Sequence, residues 1–176
     1  MDNEILPVQP SLDRLTLSDL GRLAEAMRQA DQPACLFKAV DLLTARVIGH
    51  RLFTIMRFDA DRFEVERVYS NVPQVYPVGG RKKKGETPWG EHTLRSMKVF
   101  RASHPDQIRQ HFDDYDTMAG LGLGSILNIP IAYNGKCVGT MNLTHQAGWY
   151  VEEHEHIGLL IGVFLTAPLM QAALQR

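Results

Sequence analysis

The sequence predicts one α+β domain, in which an antiparallel sheet is built from hairpins and closed by helices from both ends of the chain. Three observations predict it. Two segments with apolar residues at helical spacing come first, the period changes to alternation after Gly49 and again at Ser125, and a nearly uncharged run closes the chain. The length of 176 residues allows one domain of ordinary size, expected over residues 16–176 behind an N-terminal arm at residues 1–15.

The first helix starts near Thr16 or Ser18, with Asp19 placed to favour its dipole, and Leu20, Leu23, Ala24 and Met27 form its stripe. Asp31-Gln32-Pro33 stops it and starts a second helix with Leu36, Val40, Leu43 and Val47 on one face, ending at Gly49. Leu52 to Phe58 reads as a strand, Asp59-Ala60-Asp61 as a turn, and Phe63 to Tyr69 as a half-exposed second strand. Asn71 to Glu86 is rich in proline, glycine and basic residues and has no period, which in a compact domain marks a functional or disordered loop. Thr87-Pro88 offers a helix start through Met97, Val99 to Ala102 a brief strand, and Ser103 with Asp106 a capping pair for a short helix. The strongest local signal is Ser125 to Tyr133, then Asn134-Gly135, then Lys136 to His145, because Asn-Gly supplies the positive backbone angles of a two-residue hairpin. Val151 to Leu174 opens with Glu152, Glu153 and Glu155 and continues as a helix in which Pro168 should make a kink or an end.

Composition narrows the function. A net charge of -1 argues against general attraction to nucleic acid or an anionic membrane surface. Two cysteines, Cys35 and Cys137, cannot build a disulfide framework, and the first ten residues have neither the basic start nor the apolar core of a signal peptide, so a reducing cytoplasm is expected. The run Gly80-Arg-Lys-Lys-Lys-Gly85 misses the P-loop lysine, and Gly120-Leu-Gly-Leu-Gly124 misses the dinucleotide spacing and leads into a strand. The basic run reads as a solvated loop or as a contact for an anionic ligand. His154 and His156, two apart on a helix, point in opposed directions and read as a solvated helix start, so no metal site is expected.

The order of elements resembles a GAF domain, the ligand-sensing relative of the PAS fold, over residues 18–174. Gly124-Ser125-Ile-Leu-Asn-Ile-Pro130 and Asn134-Gly135-Lys-Cys-Val-Gly139-Thr-Met-Asn-Leu143 carry the likeness, and Thr87-Pro-Trp-Gly90 sits where that family places a helix over its pocket. The resemblance implies a sheet of five or six strands, terminal helices on one face, and a small-molecule pocket on the other beneath loops and short helices. Members bind cyclic nucleotides, bilins, haem or small acids, and many dimerise through terminal helices. The cyclic-nucleotide signature is missing here, and the 71–124 region has no cysteine for bilin attachment or for the thiol chemistry of free methionine-R-sulfoxide reductases.

Candidate binding residues follow from position. With a two-residue turn and no bulge, Ser125 faces Thr144 and Leu127 faces Asn142, so Ser125, Thr140, Asn142 and Thr144 make the more polar face, read as a pocket floor or as ordinary strand residues near an edge, Ile126, Met141 and Leu143 face the helices, and Asn128 and Asn142 lie on opposite faces of the sheet. A bulge near Pro130 would shift this by one residue. Trp89 and His92, three apart, share a helix face suited to a planar or anionic ligand. Arg101 would receive a negative group with His92. Tyr115 and Asp116 precede the glycine-rich Met118 to Gly124 stretch, which reads either as a lid or as a run of glycines that lets the chain reach the sheet. Gly158 and Gly162 have the spacing that lets helices approach closely. The last helix is apolar on two sides, Ile157, Ile161, Phe164 and Pro168 against Leu160, Val163 and Leu174, which points to a homodimer. The expectation is a cytoplasmic sensory domain that binds a small molecule without catalysis, its ligand and any cofactor unnamed. The rivals are an enzyme with His92 and Asp116 as a proton-transfer pair and a module that only dimerises, its pocket filled by its own side chains.

Overall fold

A computed structural model describes residues 15–174, so the expected arm lies, apart from Leu15, outside the described residues. Helix α1 (Leu17–Met27) is capped by Thr16, whose hydroxyl accepts from the Asp19 amide at 3.2 Å while the Asp19 carboxylate accepts from the Thr16 amide at 2.9 Å. Arg46, on α2 (Ala34–Val47), reaches the same carboxylate at 2.5 Å and ties the two helices together. Leu23, Leu36, Val40 and Val47 are buried between the helices and the sheet.

The sheet has six antiparallel strands in the order β3-β2-β1-β6-β5-β4. Strands β1 (Leu52–Asp59) and β2 (Glu64–Ser70) form the first expected hairpin, and β5 (Ser125–Tyr133) and β6 (Lys136–His145) the second. Asn134 and Gly135 both have positive φ, 50° and 71°, as a two-residue turn between twisted strands requires. Strand β4 is Phe100–Ala102, and β3, Arg81–Lys83, lies inside the segment expected to be aperiodic. Three basic residues in a row carry no alternation, and β3 exists because the β2 edge offers a partner, Val65 opposite Lys82.

The register of the second hairpin corrects the unbulged expectation. Tyr133 pairs with Lys136 and Ala132 with Cys137, but Ile131 pairs with Gly139, so Val138 is an extra residue on β6. The bulge lies just beyond Pro130 and moves every pair inward of it by one residue. Asn128 therefore stands directly opposite Asn142 on one face, Ile126 opposite Thr144, and Ser125 opposite His145. Beyond the bulge Gly139 leaves no choice of residue, because a Cβ there would come within 2.2 Å of the Met56 carbonyl oxygen.

One face of the sheet, with Phe53, Ile55, Leu127, Ile129, Met141 and Leu143, is buried under α1, α2 and α5 (Glu152–Gly162). Gly158 and Gly162 do permit a close approach, but to the sheet: their missing Cβ atoms would lie 2.7 and 2.8 Å from Ile129 and Ile131 side chains. His154 is fully buried, with Nδ1 accepting from the Val151 amide at 3.2 Å, which corrects the solvated reading of that helix start. Pro168 neither ends the helix nor sits at the break. A 3₁₀ turn at Val163–Leu165 precedes α6 (Thr166–Leu174), because proline displaces the carbonyl four residues upstream, at Phe164. On α5 and the turn, Leu159, Leu160 and Val163 are exposed; the side chain of Leu174 lies outside the described residues.

The second face is covered by irregular structure: the 71–80 loop, a π-helix at Gly90–Arg95, α3 (Pro105–Arg109) and α4 (Tyr115–Gly120). Thr87 does start the first of these, its hydroxyl bridging the Lys84 carbonyl oxygen and the Gly90 amide at 3.0 Å each. The cap of α3 differs from the expected Ser103 and Asp106 pair. Gln107 Oε1 accepts from the Ser103 and His104 amides at 2.8 and 3.2 Å.

Candidate functional site

Between the second face and its cover lies a cavity of about 140 Å³. Its floor comes from alternate residues of the central strands. Leu52, Thr54 and Met56 of β1 point into it, while Phe53 and Ile55 point into the helix layer, as strand alternation dictates. Ile126 and Asn128 of β5 and Asn142 and Thr144 of β6 complete the floor.

The buried polar groups of the floor satisfy one another in a chain. The Trp89 indole Nε1 donates to Asn128 Oδ1 at 2.9 Å, Asn128 Nδ2 to Asn142 Oδ1 at 2.9 Å, and Asn142 Nδ2 to Thr54 Oγ1 at 3.3 Å. This network exists only in the bulged register, which brings the two asparagines together. It also fixes the indole, 3% exposed, as part of the cavity wall.

The remaining wall is cationic. Lys84 is 9% exposed, and its ammonium lies 5.3 Å from the Trp89 ring centroid and 6.0 Å from that of Phe112, with no carboxylate at ion-pair distance among the described residues. Burial, and then the neighbouring Lys82 charge, lower the Lys84 pKa. Lys84 is held there by its backbone: its amide donates to the Phe63 carbonyl oxygen at 2.9 Å, and a Cβ on Gly90 would come within 2.1 Å of its own carbonyl oxygen. Arg67 stands over the Tyr76 ring at 5.2 Å and donates from Nη1 to the Pro77 carbonyl oxygen, leaving Nε buried without a partner. The Tyr76 hydroxyl is likewise buried, and burial first, then the neighbouring Asp114 carboxylate, pushes its pKa well up. Lys82 pairs with Asp114 at 3.7 Å, and Arg81 with Glu66 at 3.1 Å.

Of the nine residues singled out in the sequence, the cavity is lined by Trp89, Asn142 and Thr144, while Thr140 is fully buried beside Met56 without lining it. Ser125 is fully buried but donates to the Gln146 carbonyl oxygen at 2.7 Å, on the face the bulge gave it. Arg101 is opposite Leu127 and therefore points to the helix layer, where it pairs with Glu155 at 2.5 Å. His92 packs edge-on against Phe100, with Nε2 2.9 Å from the Val99 carbonyl oxygen; the wider winding of a π-helix separates it from Trp89. Tyr115 and Asp116 line a separate, open cleft with Thr87 and His111, so His92 and Asp116 are not brought together. Sequence reasoning missed Thr54, Arg67, Lys84 and Asn128. The available signals were the threonine alternating with Leu52 and Met56, the asparagine inside an otherwise apolar strand, and the basic run. Among the described residues no cluster of side chains could hold a metal ion, and no helix is long and apolar enough to cross a membrane.

The GAF domain family model matches residues 22–164. No curated protein matches the chain. Among solved structures, the GAF domain of a phosphoenolpyruvate-protein phosphotransferase from Coxiella burnetii is similar at TM-score 0.72 and 17% identity, over 90% of this chain and 95% of that one. The corresponding domain from Acinetobacter gives 0.72 and 14% over the same shares. The chromophore-binding domain of an unusual bacteriophytochrome from R. palustris gives 0.67 and 12%, over 95% of this chain and 65% of that one.

Proposed function

The chain belongs to the GAF domain family, a family of sensory and regulatory ligand-binding domains, and on that footing we propose that it binds a small molecule in the cavity over the second sheet face. It performs no chemistry on that molecule, and it acts in the cytoplasm as a homodimer. The observation that carries this reading is the cavity itself, with a hydrogen-bonded polar floor and a buried lysine that has no carboxylate partner among the described residues. Its volume of about 140 Å³ is near the roughly 150 Å³ that accommodates one benzene in an engineered core. A self-filled module would have no such space. The dimer is supported by Leu159, Leu160 and Val163, apolar and exposed on the helix layer, the last at 66%.

A signal would pass from the cavity through the central strands, because Asn142 on the floor and Met141 and Leu143 under the helices are neighbours in one strand. Native mass spectrometry of freshly purified protein tests the proposal. It should give a dimer with one small passenger per protomer. Bare protein across several preparations would contradict the binding reading, and a monomer would contradict the dimer.

A further inference from the structure

Four basic residues, Arg67, Arg81, Lys82 and Lys84, line the cavity against one acidic residue, Asp114. Two are neutralised: Arg81 by Glu64 together with Glu66, which also pairs with Arg57, and Lys82 by Asp114. Among the described residues Lys84 and Arg67 have no carboxylate at ion-pair distance; the Lys84 ammonium faces the Trp89 ring, and Nε of Arg67 is buried without a partner. A cation held in a cavity wall without a counter-ion is costly unless something supplies the missing charge. The other walls, Leu52, Met56, Val65, Met118 and Ile126, are apolar and ask for a hydrocarbon body rather than a hydrated inorganic ion.

We infer that the cavity selects a small organic monoanion, a carboxylate with an apolar body the size of a single ring, its charged end between Lys84 and Arg67 and its body against Met56, Met118 and Ile126. The inference rests on the binding reading above and adds the ligand class. Charge sets the anion: two cations remain, and the Asp114 carboxylate on the same wall disfavours a polyanion. Volume sets the body. Lys84 is the selective group, because it comes from the basic run and no other element of the cavity brings an unpaired ammonium.

The test is calorimetric titration of the whole protein with benzoate, benzamide, benzamidine and inorganic phosphate. Benzoate should bind about tenfold or more tightly than the isosteric amide, the equivalent of one charge-assisted hydrogen bond, with benzamidine and phosphate weaker still. Lys84→Met should remove the preference for benzoate while leaving benzamide binding unchanged, and Lys84→Arg should restore it. The comparison of probes on the unmodified protein stands even if a variant fails to fold. Benzamide binding as tightly as benzoate, phosphate competing with benzoate, or a preference that survives Lys84→Met would overturn the anion inference and leave the binding reading in place. Failure of all four probes to bind would overturn both.

Discussion

The two faces of one sheet are made by the same strands and have opposite characters. On the helix-covered face, Phe53, Ile55, Ile129, Met141 and Leu143 are fully buried in one cluster with residues of regular helices. On the other, Thr54, Asn128, Asn142 and Thr144 meet loops and short helical turns, and a cavity remains. Regular helices bring repeated apolar stripes that interdigitate with the sheet. Irregular cover brings side chains one at a time, so it can hold a lysine and an indole at chosen points without filling the volume between. One face holds the fold together and the other is free to specialise.

The largest effect expected from breaking this contrast is on the helix face. Phe53→Ala should cost about 3 to 5 kcal/mol, since a fully buried ring is lost and the packed helices collapse only partly; chemical denaturation of purified protein measures it. On the cavity face, Asn128→Ala should cost about 1 to 3 kcal/mol, because the Trp89 indole N–H and the Asn142 carboxamide oxygen each lose a partner. Near-UV circular dichroism of the tryptophans should change with it. Thr54→Val keeps the shape and removes only the acceptor at the end of the chain, for about 1 kcal/mol. If Asn128→Ala proved as costly as Phe53→Ala, the cavity face would be a second structural core.

Much of this contrast was legible in the sequence. Helical stripes gave α1 and α2, alternation gave β1 and β2, and Asn134-Gly135 gave the hairpin. Asn142 and Thr144 were assigned to the polar floor and Met141 and Leu143 to the helices, and the structure has them there, whereas Thr140 is fully buried beside Met56 and does not line the cavity. Ser125 and Ile126 were exchanged because an extra residue at Val138 has no sequence signature of its own, and a one-residue slip turns every side chain over. The same slip hid the Asn128 and Asn142 pair. Arg101 and His92 were chosen for their chemistry, but a three-residue strand and a π-helix do not announce which way a side chain points. Strand β3 and the placement of Lys84 depend on the β2 edge, a tertiary feature that no local pattern carries.

The smallest expected effect is a pH dependence at the sheet end. His145 stacks on Trp149 with ring centroids 3.8 Å apart, and burial first, then the charges of Arg51 and His50, lower its pKa from 6.5 to about 4. The folded state therefore favours the neutral ring. Its contribution is complete above pH 6.5 and is lost as pH falls towards 4, where the unfolded chain binds the proton first. Melting temperatures followed over that range should fall more steeply for the natural protein than for His145→Gln, and parallel curves would show that the ring is not held neutral by the fold.

Methyl chemical shifts, followed while benzoate is titrated into the protein, test the central claim most directly. Met56, Met118 and Ile126, which line the cavity, should shift most and in a saturable way, while Ile55, Ile129 and Met141, neighbours on the far side of the same sheet, shift less. Shifts confined to the helix-facing methyls, or none at either set, would contradict the account.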